Sequence, residues 1–267
     1  MQDRTVILTI LDETWASPGS VLDLFLESFR IGQGTQHLLN HIVVVALDNQ
    51  AYQYCTSIHP HCFQLTTFSS KLATRKGFTS LDHIIPNQKR NDLLLEVLEL
   101  GYSIIFTEAD VMWLRNPVGH FDPKKEITIL CDFNAQSGTN KPDKGLFHLK
   151  SNAISIEFLK FLNFERVIYP KYLEKSLCEM TTRNIADIQG VGTKYLDTAY
   201  FGGFCEPSED MSEIYTMHST CCDSIKSKVH DLRLFLDDWI NFTAKISTNA
   251  SMESSSFSWR APKKCIR

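Results

Sequence analysis

The sequence has no long hydrophobic run. None of its apolar stretches approaches the roughly 18 to 20 residues that a membrane-spanning helix needs, and the opening MQDRTVILTILDETW has acids where a signal peptide would have its apolar core. No membrane segment is therefore predicted within this chain. The sequence also lacks an excess of basic residues, since its formal net charge is −4. Without a basic field the chain is poorly suited to bind a nucleic-acid backbone, so nucleic acid is not an expected partner.

No two of the eight cysteines are spaced as C-x-x-C, so they do not predict a zinc ribbon. The adjacent Cys221 and Cys222 are too close for an easy disulfide with each other, and each is expected to have a separate partner or to be a buried thiol. Two glycosylation sequons begin at Asn241 (N-F-T) and Asn249 (N-A-S). Cysteines and sequons together favour an oxidising secretory lumen over the cytosol. In that case a signal or membrane anchor would lie outside this chain.

Strand patterns alternate with helical patterns along the chain. Strands are predicted over 5–11, 41–47, 62–68, 102–107 and 127–133. Helices are predicted after residue 20 and over 50–58, 91–100, 152–165, 171–183 and 225–242. Near-continuous apolar strands are typical of a parallel sheet that is buried on both faces. We therefore expect one α/β domain over residues 1–245, with a mainly parallel sheet flanked by helices. The Ser-rich segment 246–267 is expected to be a mobile tail.

Two acids directly follow the predicted strand 102–107. Glu108 and Asp110 are two residues apart, so in an extended chain both side chains point the same way. In an open α/β sheet, ligands bind at the carboxyl ends of the strands. Two convergent carboxylates form half of a site for Mn²⁺ or Mg²⁺, with the other positions left for water and phosphate oxygens. The triplet alone is a weak signal, because a chain with 31 acids contains such triplets by chance.

Several longer stretches carry a more specific signal. They are PGSVLDLFLESFRIGQGTQHLLNHIVVVALD, CTSIHPHC, LLLEVLELGY, FTEADVMWLRNP, LDTAYFGGFC, TMHSTCC and KVHDLRLFLDDW. In this order they resemble the plant nucleotide-diphospho-sugar transferase family, glycosyltransferase family 77, over residues 5 to 243. The resemblance implies a GT-A type fold with a Rossmann-like sheet. It also implies Mn²⁺- or Mg²⁺-dependent transfer of a sugar, with retention, from a UDP-linked donor to a glycan or glycoprotein acceptor in the Golgi lumen.

The resemblance also implies roles for individual residues. Asp110 and His218 match the metal ligands, and Glu108 stands where an Asp of the family contacts the ribose and the metal's shell. Catalytic roles are implied for Asp197 and Glu174. Nucleotide-sugar binding is implied for a larger set, with the cationic members expected to meet the diphosphate: Thr9, Leu11, Asp12, Arg90, Glu108, Gly202, Gly203 and Lys228.

Structural interpretations stay open for several of these residues. His218 could be a core histidine, Arg90 and Lys228 could be solvated surface cations, and the glycine pair at 202 and 203 could form a tight turn. A metal-dependent phosphohydrolase is a further alternative, but no D-x-D-x-T nucleophile motif opens the chain.

Three departures from the family pattern concern polar positions near the expected reaction centre. Glu108 replaces an Asp, Lys144 lies in P-D-K-G where the family commonly has Asn-x-Gly-Gly, and Glu174-Lys175 replaces an Asp-Gln pair. These changes leave a second function open, that of a catalytically degenerate paralogue that binds nucleotide-sugar or scaffolds a partner transferase.

Overall fold

The computed structural model describes residues 4–65, 84–134, 139–141, 145–168, 177–178, 185–205, 208, 210–247 and 259–265. Its strands are β1 (Thr5–Leu11), β2 (Ile42–Ala46), β3 (Cys62–Gln64), β4 (Ser103–Thr107), β5 (Val111–Trp113), β6 (Ile127–Ile129), β7 (Asp132–Asn134), β8 (Thr139–Lys141), β9 (Leu146–Leu149), β10 (Thr193–Tyr195), β11 (Phe201–Gly203) and β12 (Thr216–His218). Its α-helices are α1 (Val21–Ile31), α2 (Asn49–Ile58), α3 (Ile84–Glu99), α4 (Ala153–Ile168), α5 (Ile185–Ile188) and α6 (Ile225–Ser247).

A seven-stranded sheet has the order β10-β6-β9-β4-β1-β2-β3. All of its pairings are parallel except the two made by β9. The predicted mainly parallel sheet is confirmed, and the strands predicted at 5–11, 41–47 and 102–107 lie side by side in it, because β1 pairs with both β2 and β4. A second sheet of three strands has the order β11-β12-β5.

The large sheet is buried on both faces, as its near-continuous apolar strands predict. Ile7 of β1 belongs to the core on the face covered by α1 and α6, whereas Leu8 belongs to the core on the opposite face. The helix α1 covers the first face because Leu22, Phe25 and Phe29 recur at helical spacing and are all fully buried.

Several boundaries differ from the predicted ones. The expected strand 127–133 is interrupted, since β6 ends at Ile129 and β7 begins at Asp132 in a separate two-stranded sheet. The helix α3 begins at Ile84, so Arg90 lies inside the helix and not at its start. Most of the predicted helix 171–183 and the end of the predicted strand 62–68 lie outside the described residues.

All eight cysteines are paired in four disulfides: Cys55–Cys62, Cys131–Cys178, Cys205–Cys221 and Cys222–Cys265. The adjacent cysteines at 221 and 222 thus have separate partners, as expected. One of these disulfides corrects the prediction of a mobile tail, because it ties residues 259–265 to the body of the protein. Buried Ala261 and Cys265 pack against the core that α6 shares with α1, which the Ser-rich composition of the preceding segment did not indicate.

None of the described helices is both long enough and apolar enough to cross a bilayer.

Candidate metal and nucleotide-sugar site

The two acids lie where the chain crosses from the large sheet into the small one. Glu108 and Asp110 stand between β4 and β5, and the Val111 N–H donates to Glu108 O at 3.2 Å, which closes a tight turn. The Glu108 N–H donates to Gly145 O at 2.8 Å, just before β9. Asp110 is fully buried, whereas the Glu108 side chain is one-third exposed (33%). The turn therefore directs one acid into the protein and leaves the other at the surface of the site.

His218 reaches the acids through the pairing of the small sheet. It is the last residue of β12, and its antiparallel partner in β5 is Val111, the neighbour of Asp110. His218 Nε2 lies 3.2 Å from Asp110 Oδ1 and 3.4 Å from Glu108 Oε2. One ligand atom from each of the three residues lies within 4.8 Å of the others.

The two oxygens of Asp110 have different surroundings. Oδ2 accepts hydrogen bonds from Ser219 Oγ at 2.8 Å and from the Lys228 ammonium, with which it forms an ion pair. Oδ1 is buried and has no hydrogen-bond partner in the described part of the chain, although it faces His218. Burial raises the pKa of Asp110, but His218 and Lys228 lower it further, so the net pKa lies below the usual range. Asp110 is therefore a buried anion whose Oδ1 faces His218.

This set of donors fits a divalent cation. Adjacent ligands of an octahedral ion at about 2.1 Å lie roughly 3 Å apart, which is close to the distances from His218 Nε2 to the two carboxylates. Mn²⁺ accepts imidazole and carboxylate ligands together. The buried Asp110 Oδ1 supplies a ligand atom that no described hydrogen bond occupies.

A cavity of about 260 Å³ lies beside the acids, at the carboxyl ends of the central strands. Its lining combines apolar with charged residues: Ile10, Leu11, Asp12, Trp15, Leu47, Arg90, Phe106, Glu108 and Ala109. The Arg90 guanidinium lies over the Phe106 ring, 5.4 Å from its centroid. Burial lowers the pKa of Arg90 while nearby Glu108 raises it, and the net direction is down.

Lys228 links this cavity to the acidic cluster. Its Nζ lies 5.2 Å from the centroid of the Trp15 ring, which lines the cavity, and it also pairs with Asp110. One cation thus contacts both an aromatic ring of the cavity lining and a carboxylate of the acidic cluster.

Residues 37–232 match the family model described as nucleotide-diphospho-sugar transferase. The chain belongs to this family. The protein At4g15970 of Arabidopsis thaliana, which is itself uncharacterized, is 33% identical over 273 residues, covering 100% of this chain and 71% of that protein. The enzyme named UDP-D-xylose:L-fucose alpha-1,3-D-xylosyltransferase MGP4, also of Arabidopsis thaliana, is 25% identical over 111 residues, covering 42% of this chain and 31% of MGP4.

The fold of this transferase is also found in solved structures. The galactosyltransferase LgtC, determined with donor and acceptor sugar analogs, has a TM-score of 0.50 and 10% identity, and covers 94% of this chain and 98% of its own. Together with the largely parallel sheet, this likeness confirms the predicted GT-A type fold.

The structure of the transferase brings most of the predicted site residues together. Four line the cavity: Leu11, Asp12, Arg90 and Glu108. Asp110 and His218 lie with Glu108 in the acidic cluster, and Lys228 joins it through Asp110. His218 is therefore neither remote from the acids nor packed only in the core, and Lys228 is not a solvated surface cation.

Thr9 and the glycine pair are placed differently. Thr9 is fully buried within β1 and does not line the cavity. A Cβ on Gly202 would lie 3.1 Å from Ser208 N, and one on Gly203 would lie 2.8 Å from Thr220 Oγ1. Both glycines are therefore explained by close packing around the small sheet. They lie in β11, which pairs directly with β12, the strand that carries His218.

Asp197 is exposed and stabilises the turn before β11. Its Oδ1 accepts the Ala199 N–H at 2.9 Å, and its main-chain oxygen accepts the N–H groups of Tyr200 and Phe201. It belongs neither to the cavity lining nor to the acidic cluster, and its catalytic role stays a prediction. Glu174, Lys175 and Lys144 lie outside the described residues.

Two site residues of the transferase were not predicted from the sequence. Trp15 follows Asp12 in D-E-T-W, and an aromatic residue just after the first strand was the available signal. Ser219 directly follows His218 and donates to Asp110. No spacing rule distinguishes it from the other hydroxyl residues nearby.

Proposed function

We propose that this transferase moves a sugar from a UDP-linked donor to a glycan or glycoprotein acceptor, with retention, and that it uses Mn²⁺ or Mg²⁺. The observation that carries the proposal is the cluster of Glu108, Asp110 and His218 at the edge of a cavity that also holds Arg90. A nucleoside has apolar faces and polar edges, which suits a cavity with both kinds of lining.

The charges of the site suit the departure of a nucleoside diphosphate. Breaking the bond between the anomeric carbon and the diphosphate builds negative charge on the phosphate oxygens. A divalent cation held by Glu108, Asp110 and His218 would supply Lewis-acid stabilisation of that charge. Lys228, beside Trp15, and Arg90, over Phe106, add fixed positive charges that can orient the diphosphate and stabilise it as it leaves.

The donor and acceptor classes rest on the relatives and on the resemblance to family 77. The name of MGP4 states a UDP-xylose donor, and LgtC is named a galactosyltransferase. We therefore propose a UDP-pentose or UDP-galactose as the donor and a cell-wall glycan or a glycoprotein as the acceptor. Retention follows from the same family resemblance.

The proposed location is the Golgi lumen. The pairing of all eight cysteines supports an oxidising compartment, where disulfides form and persist. The named plant relative, a sugar transferase, is compatible with the same pathway.

A degenerate paralogue that binds nucleotide-sugar without transferring it is the second candidate. The observation in its favour is that Lys228 already neutralises Asp110 through an ion pair, at a site where Glu108 replaces the usual Asp. Such a protein would bind UDP but release none from any donor.

Calorimetric titration of UDP with and without Mn²⁺ tests the cation site directly. Asp110→Asn keeps the size of the side chain and removes its charge, so we expect Mn²⁺-dependent UDP binding to weaken at least about tenfold, or roughly 1.4 kcal/mol. Asp23→Asn is the matched control, because Asp23 is also a hydrogen-bonded carboxylate, held by Tyr54 and Gly19, but lies outside the cluster.

Both variants need circular dichroism to show that they are folded, since Asp110→Asn also breaks the ion pair with Lys228. An Asp110→Asn protein that binds UDP and Mn²⁺ like the wild type would remove the metal site from the proposal. Release of UDP from a panel of UDP-sugars then separates the two candidates: turnover with any donor supports the transferase, and binding without turnover supports the paralogue.

A further inference from the structure

Residues 259–265, which we call the C-terminal strap, run along α6. At the N-terminal end of the strap, Trp259 Nε1 donates to the main-chain oxygen of Ser208 at 2.9 Å, and Ser208 follows β11 by five residues. The Arg260 N–H donates to Asp238 Oδ2 at 2.7 Å, and the Arg260 guanidinium pairs with the other oxygen of the same carboxylate. This end of the strap therefore joins the middle of α6 to the loop beyond the small sheet.

The other end of the strap is held by a buried carboxylate and a disulfide. Asp231 Oδ2 accepts three successive backbone N–H groups, those of Lys263, Lys264 and Cys265, at 2.8, 2.7 and 2.9 Å. Asp231 is fully buried, and Cys265 is bonded to Cys222. A buried carboxylate that accepts three N–H groups is a specific anchor, because each of those groups would otherwise lose its partner.

Both anchors adjoin the chain that builds the metal site. Residues 218–228, which we call the site segment, begin at the ligand His218 and end at Lys228. Cys222 lies in the middle of this segment, and Asp231 follows Lys228 by three residues on α6, so the two side chains lie on the same side of the helix. The strap thus fastens the site segment at its centre and just beyond its end.

The site segment is closely fitted to Asp110. The Ser219 N–H donates to Asp110 O at 3.1 Å, and Lys228 Nζ donates to Ser219 O at 3.1 Å. A displacement of this segment would therefore move a metal ligand, a hydrogen-bond donor to the buried carboxylate and the cation of the site at the same time.

One residue of the site segment has an unfavourable backbone conformation that contacts outside the segment must stabilise. Cys221 has a φ of 58°, in the left-handed region that is unfavourable for a residue with a Cβ. Such conformations persist where the surrounding structure holds them. Here Cys221 is bonded to Cys205 and its neighbour Cys222 is bonded to the strap, so two disulfides enclose the strained position.

We propose that the C-terminal strap is a positioning element of the metal site. By fixing Cys222 and Asp231, it holds His218 beside the carboxylate of Asp110, at a separation that suits a bound cation, and it holds Lys228 in its ion pair with Asp110. Residues of the strap are found neither in the described lining of the cavity nor in the acidic cluster. The inference rests on the proposed function, because it gives a role to the strap in the metal site proposed there.

Removing one disulfide at a time tests the role of the strap. The test variant is Cys222→Ser/Cys265→Ser, and the matched control is Cys131→Ser/Cys178→Ser in the core on the other face of the large sheet. The two disulfides close loops with sequence separations of 43 and 47 residues, so their removal should cost similar chain entropy. We expect both variants to lose stability, but only the strap variant to bind Mn²⁺ more weakly, by about tenfold in calorimetry without nucleotide.

A second readout requires no metal. In the strap variant, the amides of the site segment should exchange with deuterium at least about tenfold faster than in the control. If the wild type binds no Mn²⁺, the metal site of the proposed function fails and the exchange rates alone decide the role of the strap. Unchanged exchange in the strap variant, or faster exchange with unchanged Mn²⁺ affinity, would overturn the inference.

A second variant covers the case in which the strap variant does not fold. Asp231→Asn keeps the size of the anchor but removes the charge that its three N–H donors stabilise. We expect faster exchange in the site segment and roughly threefold weaker Mn²⁺ binding, again compared with Asp23→Asn. An Asp231→Asn protein that matches the Asp23→Asn control in both measurements would likewise contradict the proposal.

Discussion

Two cavities of similar size lie at opposite ends of β1 and differ in their charge. The cavity at the carboxyl end, of about 260 Å³, is lined by Asp12, Arg90 and Glu108. The cavity at the amino end, of about 280 Å³, has no acid and no Lys or Arg among the described residues that line it: Thr5, Ile105, Val118, Gly119, Phe121, Pro123 and His148. Among the described residues, the fold therefore places charged side chains in the cavity at the carboxyl end of β1 and not in the cavity at its amino end.

His148, the titratable group in the described lining of the second cavity, is kept neutral. His148 is buried, its ring stacks on Phe121 with centroids 5.5 Å apart, and its Nδ1 has no hydrogen-bond partner among the described residues. Burial lowers the pKa of His148 to about 4, with a smaller contribution from Lys150. Asp110 at the other end is also fully buried, but neighbouring cations keep it charged. Burial alone therefore does not make a functional site, and the partners of the buried group decide its charge.

The largest predicted effect is a loss of folding stability at low pH, when His148 of the neutral cavity is protonated. The folded pKa of His148 is lower than its unfolded value of about 6.5, so the unfolded chain binds more protons and stability falls with decreasing pH. The loss begins below about pH 6.5, is complete near the folded pKa, and amounts to roughly 3 kcal/mol. We expect His148→Phe to remove this part of the pH dependence, as measured by denaturant unfolding at pH 7.5 and pH 4.5.

The exposed His37 provides the control for that measurement. His37→Gln should show the same loss of stability as the wild type between the two pH values. If His148→Phe loses as much stability between pH 7.5 and pH 4.5 as the wild type, the imidazole is not held neutral and the contrast between the two cavities disappears.

A smaller effect is expected from shortening the acid of the charged cavity. In the wild type, Glu108 Oε2 lies 3.4 Å from His218 Nε2. Glu108→Asp shortens the side chain by one methylene and so moves the carboxylate about 1.5 Å away from that nitrogen. The structure thus indicates that the longer side chain fits the cluster, and we expect Mn²⁺ binding to weaken about threefold. Calorimetry of Mn²⁺ binding measures this directly.

Glu126→Asp is a suitable control, because Glu126 accepts hydrogen bonds from Asn152 and Gly192 and is outside the acidic cluster. Tighter binding by Glu108→Asp would instead show that the extra methylene is a defect of the site.

The smallest effect concerns a surface that contributes to neither cavity. Asn241 is exposed on α6, whereas the neighbouring Trp239 and Phe242 are buried. Expression with a secretory leader should attach a glycan at Asn241, seen as a gel shift that N-glycosidase removes and that Asn241→Gln reduces. Affinity for Mn²⁺ should change by less than about twofold in that variant, as is usual for surface substitutions. A larger change would mean that the outer face of α6 takes part in the site.

The sequence predicted the central sheet well because local patterns contain the necessary information. Apolar runs at 5–11, 41–47 and 102–107 identified three adjacent strands, and the spacing of Glu108 and Asp110 placed both acids at their carboxyl edge. Local patterns were less informative where tertiary contacts interrupt them, as at the break between β6 and β7. His218 and Lys228 were predicted through the family motifs, since nothing in their own surroundings distinguishes a ligand from a core histidine or a surface cation.

The sequence by itself determined the alternation of strands and helices, the position of the two acids just after a central strand and the availability of cysteines for pairing, because these follow from periodicity and residue type. The extended segment expected at the acids is instead a tight turn, which buries Asp110 and leaves Glu108 at the surface. Only the tertiary structure decided that Lys228 neutralises Asp110 across 118 residues and that β12 brings His218 beside the same carboxylate. It also decided that residues 259–265 are fastened to α6. These contacts depend on how the small sheet and the last helix pack against the large sheet, and packing between distant segments leaves no periodic signal in the chain.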